Sequence, residues 1–390
     1  MAQWIEIEEN GLYLTIEVSD EQDVRLLHFG VSPHSAELAG WDEKIKRMFR
    51  LSEVHISGGN QIPGLWLELE VMGIHCKLAD KLPDEWFFMR HGRRVIDHSR
   101  YQLDFRNPQV AAYADTIMDR LVQTYGVGYI KMDYNINAGV GTETGADSFG
   151  DGLLEHNRAY LAWLDRIFER YPELVIENCG SGGMRLDYAV LSRYSIQSSS
   201  DQTDYRKNGI IAAASASLVT PEQCAVWSYP LREGDVEEVV FNMVNSLLLR
   251  VNQSGHLAEI SAPRLALVKE AIAYYKTIRH YIPQSLPIWP LGLPRFAHSW
   301  MSYGLCNKEV VLLAVWRLDS EEDTITLPIE ALAGSEADVR LAYPSGGSIE
   351  CTWYPVTGSL SVKLPERYTA RIFEIRFSHA GAGTQCFRRV

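Results

Sequence analysis

The feature that most limits what this chain can fold into is a repeated unit of one amphipathic helix followed at once by a short, mostly apolar strand. Residues 107–126, NPQVAAYADTIMDRLVQTYG, open on the start signals Asn107 and Pro108 and place Val110, Tyr113, Ile117 and Leu121 on one face. They stop at Gly126, and GYIKMDYN follows as a strand. The unit recurs when HNRAYLAWLDRIFERYP leads into LVIENC, and again when a short helical segment leads into YSIQSSSD. Helices alternating with such strands predict a parallel sheet whose function gathers at the strands' C-terminal ends, where Asp133, Cys179 and Asp201 lie. VEEVVFNMVNSLLLRVN and PRLALVKEAIAYYKTIRHYI read as two further long helices.

The two ends follow a different rule. WIEIEENGLYLTIEV alternates apolar and polar residues around Asn10-Gly11, which is a hairpin signal. HISGGNQIP, residues 55–63, reads as a loop, and the regime changes near residue 60. From about Phe296 to Phe377, EVVLLAVWRL, DTITLPI, ADVRLAYP and TARIFEIRF are strands joined by turns and predict an antiparallel β-sandwich. The last residues, 379–390, read as a disordered tail.

Charge narrows the ligand. With 37 basic and 50 acidic residues the net charge is −13, which opposes binding to nucleic acid and anionic membranes and favours a neutral or cationic small molecule. The six cysteines include no CxxC pair, so neither a zinc site nor a disulfide framework is expected, and reduced thiols fit a cytoplasmic protein. The N-terminus MAQWIEIEEN has no signal-peptide pattern, and no apolar run is long enough to span a membrane.

Within GYIKMDYN, side chains two apart share a face, so Lys131 and Asp133 point one way and Ile130 and Met132 the other. A lysine and an aspartate facing an interior are either a buried ion pair or the floor of an active site. ENCGSGGMRLD, residues 177–187, sets a glycine-rich loop directly after a strand. The spacing fits no phosphate-binding motif, and Arg185 with Asp187 can equally be structural. SSSDQTD, residues 198–204, follows a run of small hydroxyl residues with two carboxylates, of which Asp204 reads as a helix start or support. Asp133 and Asp201 could be the carboxylate pair of a retaining glycosidase. Asp133, Glu177, Asp201 and Lys131 could equally serve a magnesium-dependent enolising enzyme, and Lys131 could be a Schiff-base lysine. Spacing alone leaves the three open.

KMDYN, ENCGSGGMRLD and SSSDQTD, in that order and at these separations, resemble the catalytic-barrel signatures of glycoside hydrolase family 36, the α-galactosidases. The resemblance runs from about Gly64 to Phe377 and takes in GLWLELE, RYQLDFRNP and the stretch ending in QSGHL. It implies an α/β fold: a (β/α)8-type barrel, incomplete here, over residues 61–295, and a C-terminal antiparallel β-sandwich over 296–378. It makes residues 1–60 a remnant of an N-terminal β-sandwich. It also implies removal of terminal α-linked galactose from oligosaccharides such as melibiose or raffinose, without a cofactor or metal and with homo-oligomerisation open. By the family pattern Asp133 is the nucleophile and Asp201 the general acid/base. Trp66, Arg100, Lys131, Asn135, Cys179 and Gly182 contact the sugar. Lys131 beside Asp133 favours the ionised nucleophile, whereas Asp201 must hold a proton near neutral pH.

Two departures stand out. The family carries a complete sandwich and two barrel strands before the one GLWLELE matches, and the second of those holds an adjacent Asp-Asp pair in a DDGW-like motif that grips galactose. No DDGW occurs in these 390 residues. Trp227 stands where many relatives have histidine. The alternatives to an active enzyme are an internally deleted relative without turnover and, from another class, a metal-dependent barrel lyase.

Overall fold

A computed structural model describes residues 3–9, 12–18, 24–30, 56–57, 62–347 and 349–377, with side chains from residue 64 onward. Two compact units emerge, Met1–Gly180 with Asp187–Ser195, and Ser181–Leu186 with Ile196–Val390.

In the first unit, strands Ile62–Leu67, Tyr129–Asp133 and Val175–Cys179 run parallel, with Lys131 between Trp66 and Glu177 in register. The helices that connect them have identifiable starts. Asn107 accepts from Gln109 N at the head of Pro108–Asp119, and Ser148 accepts from Asp151 N at the head of Phe149–Arg170. Each such cap is worth about 1 kcal/mol. The first helix buries Val110, Ala114 and Met118 and leaves Tyr113 and Ile117 only partly covered. Of the four residues that the apolar spacing placed on one face, Val110 and Leu121 are buried, and Tyr113 and Ile117 pack partly covered against the same core. Gly126, at φ 65°, ends the segment in the left-handed region that glycine tolerates. Ile130 and Met132 sink into the core with Ile176, Trp163, Leu164 and Ile167. Full burial of such side chains stabilises by about 1.5–3 kcal/mol each. The strand thereby keeps Lys131 and Asp133 on its other face.

The predicted loop 55–63 is in part strand. Ile56–Ser57 pairs antiparallel with Ile62–Pro63, folding the chain back before the first parallel strand. The connection from that strand to the first helix is long and structured. It holds the antiparallel sheet Val71–Gly73, Arg100–Gln102 and Ile96–Asp97, and the ribbon Met89–Arg90 with Arg93–Arg94. At the N-terminus Gln3–Glu9 pairs antiparallel with Leu12–Val18, Glu9 opposite Leu12, as the Asn-Gly signal predicted.

In the second unit, strands Ile196–Ser198, Cys224–Ser228 and Arg250–Gln253 are parallel. The helix read over residues 236–252 stops at Leu247, and Arg250–Gln253 is a strand. The loop after Cys224–Ser228 is tied down by Arg264, which is buried and donates to Glu238 Oε2 (2.7 Å) and to the carbonyls of Leu231, Arg232 and Asp235. A five-stranded sheet (Leu286–Ile288, Trp300–Cys306, Val310–Arg317, Thr369–Phe377, Ala337–Tyr343) and a three-stranded sheet (Thr324–Pro328, Ser359–Lys363, Cys351–Tyr354) make the sandwich. Val311, Leu313, Val315, Phe373 and Ile375 of one sheet share a core with Leu327, Leu360 and Val362 of the other. The tail 379–390 lies outside the described residues.

Candidate active site

The first unit brings together six of the eight residues singled out in the sequence. Asp133 ends its strand with its side chain 5% exposed, as Lys131 is, so neither charge is solvated as an ordinary surface group would be. Trp66 Nε1 donates to Asp133 Oδ2 (2.9 Å), and the Tyr134 amide donates to Oδ1 (2.9 Å). Cys179 is fully buried and sits in register with Asp133 on the neighbouring strand. Burial by itself raises the Asp133 pKa. Hydrogen bonds from Asn135 and Trp66, the charge of Lys131 and a hydrogen bond from Cys179 outweigh it, and the carboxyl is held below its ordinary value. Asp133 is therefore ionised at neutral pH and carries its charge in a site that excludes much of the solvent. Tyr129, two residues before Lys131, donates its hydroxyl to Glu177.

Arg100 reaches this cluster from the antiparallel sheet of the long connection. Its guanidinium forms a fork on Glu68, Nε to Oε2 at 2.8 Å and Nη2 to Oε1 at 2.9 Å, and Nη1 donates to the His98 carbonyl (2.8 Å). Asn135 Nδ2 donates to the same Glu68 Oε1 (2.7 Å). Glu68 was not among the residues singled out in the sequence. The alternation in GLWLELE carries the signal, because Glu68 follows Trp66 by two and shares its face while Leu67 and Leu69 are buried.

The second unit holds the other two. Asp201 is exposed, in a loop locked by its neighbours: Ser200 Oγ accepts from Gln202 N (3.1 Å), Gln202 Oε1 from Asp204 N (2.9 Å), and Asp204 Oδ1 from Arg206 N (3.0 Å). Asp204 is the N-cap of helix Tyr205–Ser215, the helix-start role read for it in the sequence. Gly182 lies opposite Ser200 in an antiparallel bridge, at φ 81°; a Cβ there would come within 2.6 Å of Ser200 Cα and 2.7 Å of Asp201 N. Trp227 is buried, with Nε1 donating to Ser198 Oγ (3.3 Å). Among the described residues no group of three His, Cys, Asp or Glu has the geometry of a metal site.

Asp133, Lys131 and the glycine-rich loop all fall inside residues 47–283, the stretch matched by the profile of the family described as Melibiase. The chain belongs to that family. This family member is 24% identical over 324 residues to alpha-galactosidase AgaA of Geobacillus stearothermophilus, covering 74% of this chain and 43% of that protein. It is 32% identical over 147 residues to alpha-galactosidase 2 of Pediococcus pentosaceus, covering 36% of this chain and 20% of that one. In structure it resembles the GH36 alpha-galactosidase AgaA from Geobacillus stearothermophilus solved in complex with raffinose. The TM-score is 0.69 at 16% identity, with 81% of this chain and 44% of that one covered. The galactosidase domain of the alpha-galactosidase-sucrose kinase AgaSK gives 0.67 at 19% identity, covering 81% and 43%. A further AgaA structure holds stachyose. These neighbours confirm the fold class, an incomplete (β/α)8-type barrel with a C-terminal β-sandwich. This melibiase-family chain spans less than half the length of the AgaA it matches.

Proposed function

We propose that this protein is a retaining α-galactosidase that removes terminal α-linked galactose from oligosaccharides such as melibiose or raffinose. The observation that carries the reading is the ionised, buried Asp133 at a strand's C-terminal end, held by Trp66, Asn135, Lys131 and Cys179. In this reading Asp133 attacks the anomeric carbon while Asp201 gives its proton to the departing glycosidic oxygen, leaving a galactosyl ester on Asp133. Asp201, now a base, takes a proton from water, which attacks the same carbon and returns the Asp133 carboxylate. Lys131 and Arg100 supply donors to sugar hydroxyls, Asn135 an acceptor through its amide oxygen, Trp66 an apolar face, and Cys179 and Gly182 close backbone and side-chain contact. The relatives' complexes with raffinose and stachyose favour an oligosaccharide substrate. Among the described residues Cys76, Cys179, Cys224, Cys306 and Cys351 form no disulfide, which favours a reducing, cytoplasmic compartment.

One observation favours a second reading, that of an internally deleted relative without turnover: no adjacent Asp-Asp pair exists in the sequence to grip the galactose hydroxyls. Hydrolysis of nitrophenyl α-galactoside by the full chain decides between them. The first-formed sugar, followed by NMR, is expected to be the α-anomer, and Asp133→Ala is expected to lose turnover and regain part of it with azide, giving the β-azide. Initial β-galactose, or no hydrolysis at all, overturns the proposal.

A further inference from the structure

Glu68 has no part in the chemistry just described, yet its carboxylate is the hub of the first unit's polar cluster. The register sets Trp66 beside Lys131 and Leu67 beside Met132, which brings Glu68 to the level of Asp133 on the adjacent strand. Two carboxylates at one level repel, more so where water is thin. Glu68 is fully engaged instead: both oxygens receive the Arg100 fork, and Oε1 also receives Asn135. Both partners concern Asp133. The negative charge of Asp133 stabilises the Arg100 guanidinium, and Asn135 provides the leading hydrogen bond that favours the ionised Asp133. A guanidinium left without Glu68 still feels the Asp133 charge, and bidentate arginine–carboxylate pairing is among the strongest side-chain contacts. A nucleophile captured in that way has its lone pairs occupied and its charge neutralised.

We propose that Glu68 is a positioning residue that keeps the Arg100 guanidinium off the Asp133 carboxylate and aims the Asn135 amide at it. This rests on the reading of Asp133 as the nucleophile. Within the first unit the charged and titratable groups around Asp133 are Lys131 on its own strand, Cys179 and Glu177 on the next, and Glu68 and Arg100 on the other side. Asp97 stands behind Arg100. Glu68 and Arg100 form a pair whose removal one member at a time pushes Asp133 in opposite directions.

The test uses the full chain with Glu68→Ala, Arg100→Met and the double variant. Titration of Asp133 is followed by NMR of carboxyl-labelled aspartate, its resonance identified by its loss in Asp133→Asn. Glu68→Ala is expected to lower the Asp133 pKa by roughly one further pH unit and to reduce kcat on the order of 10²-fold. Adding Arg100→Met is expected to return the titration towards that of the parent and recover most of kcat, while KM stays raised because a sugar contact has gone. Should Glu68→Ala fail to fold, Glu68→Gln, which keeps the shape and drops the charge, carries the same expectation. An unmoved Asp133 titration, or a double variant no faster than the single one, overturns the proposal. Turnover by the parent chain tests the enzymatic reading separately, since the NMR titration needs no activity.

Discussion

At the scale of single residues, the site is legible wherever chemistry is carried by strand alternation. Lys131 and Asp133 share a face because they are two apart, and their burial follows from the depth at which Ile130 and Met132 sit. Trp66 is the instructive case, since its indole does more than offer an apolar surface: it donates to Asp133 Oδ2. Trp66→Phe keeps the apolar bulk and removes that donor, which serves only the ionised carboxylate. In the proposed reading Asp133 is the nucleophile and is active when ionised, so activity falls as the pH drops through its pKa. Losing a donor to the ionised form raises that pKa, and the acid limb of kcat/KM is expected to move up by about one pH unit. A profile that keeps its acid limb in place takes the indole out of the tuning of Asp133. The same reasoning has a stability side: a carboxyl held below its unfolded value contributes stability at neutral pH that is lost as the pH falls through the folded pKa. Glu68 escaped the sequence reading because a carboxylate beside a tryptophan looks like ordinary alternation. Only the partners across the cluster reveal it.

At the scale of elements, loops proved more structured than their composition announces. The glycine-rich segment after Cys179 fits no phosphate motif, and the structure gives it another use: Gly182 permits the backbone of residues 181–183 to lie against Ser199–Asp201. Gly182→Ala places a methyl group against backbone atoms that no rotamer change can move, at a φ that alanine disfavours by about 1 kcal/mol or more. Asp201 is expected to shift, with kcat on unactivated galactosides falling more than on substrates with good leaving groups, since only the former need its proton. Equal losses on both substrates count against Asp201 as the acid. The helix stop at Leu247 shows the opposite limit of sequence reading. SLLLRVN is apolar at helical and strand spacing alike, so periodicity cannot place the boundary that pairing of Val251 with Val226 fixes.

At the scale of the whole molecule, the incomplete barrel governs stability. Among the described residues, strand Arg250–Gln253 is paired only with Cys224–Ser228, and on the outer side of Gly64–Leu67 only the short Ile56–Ser57 return pairs with Ile62–Pro63. An edge without a partner strand presents a row of backbone donors and acceptors that invites association with another chain. The purified 390-residue chain is expected to aggregate or to melt below the usual mesophilic range of about 45–65 °C. Without an Asp-Asp pair it is also expected to discriminate poorly between nitrophenyl α-galactoside and α-glucoside. A cooperative melt above about 55 °C together with galactose-selective turnover refutes this account of the edges. The parallel sheet and the sandwich were legible because periodicity reports layers, and the barrel came with the family resemblance. The short return of Ile56–Ser57 against Ile62–Pro63 was not legible, because a two-residue pairing inside a glycine-rich loop leaves no local mark.

The chain passes between its two units three times within sixteen residues: after Gly180, after Leu186 and after Ser195. The middle passage returns Asp187–Ser195 to the first unit, where Ser195 exchanges hydrogen bonds with Ile176 and Tyr194 meets the hydroxyl of Tyr160. For heredity this is a seam without a clean cut. A recombination or fission breakpoint between Gly180 and Ile196 takes a piece out of one unit wherever it falls, so a gene split there leaves at least one of the two units incomplete.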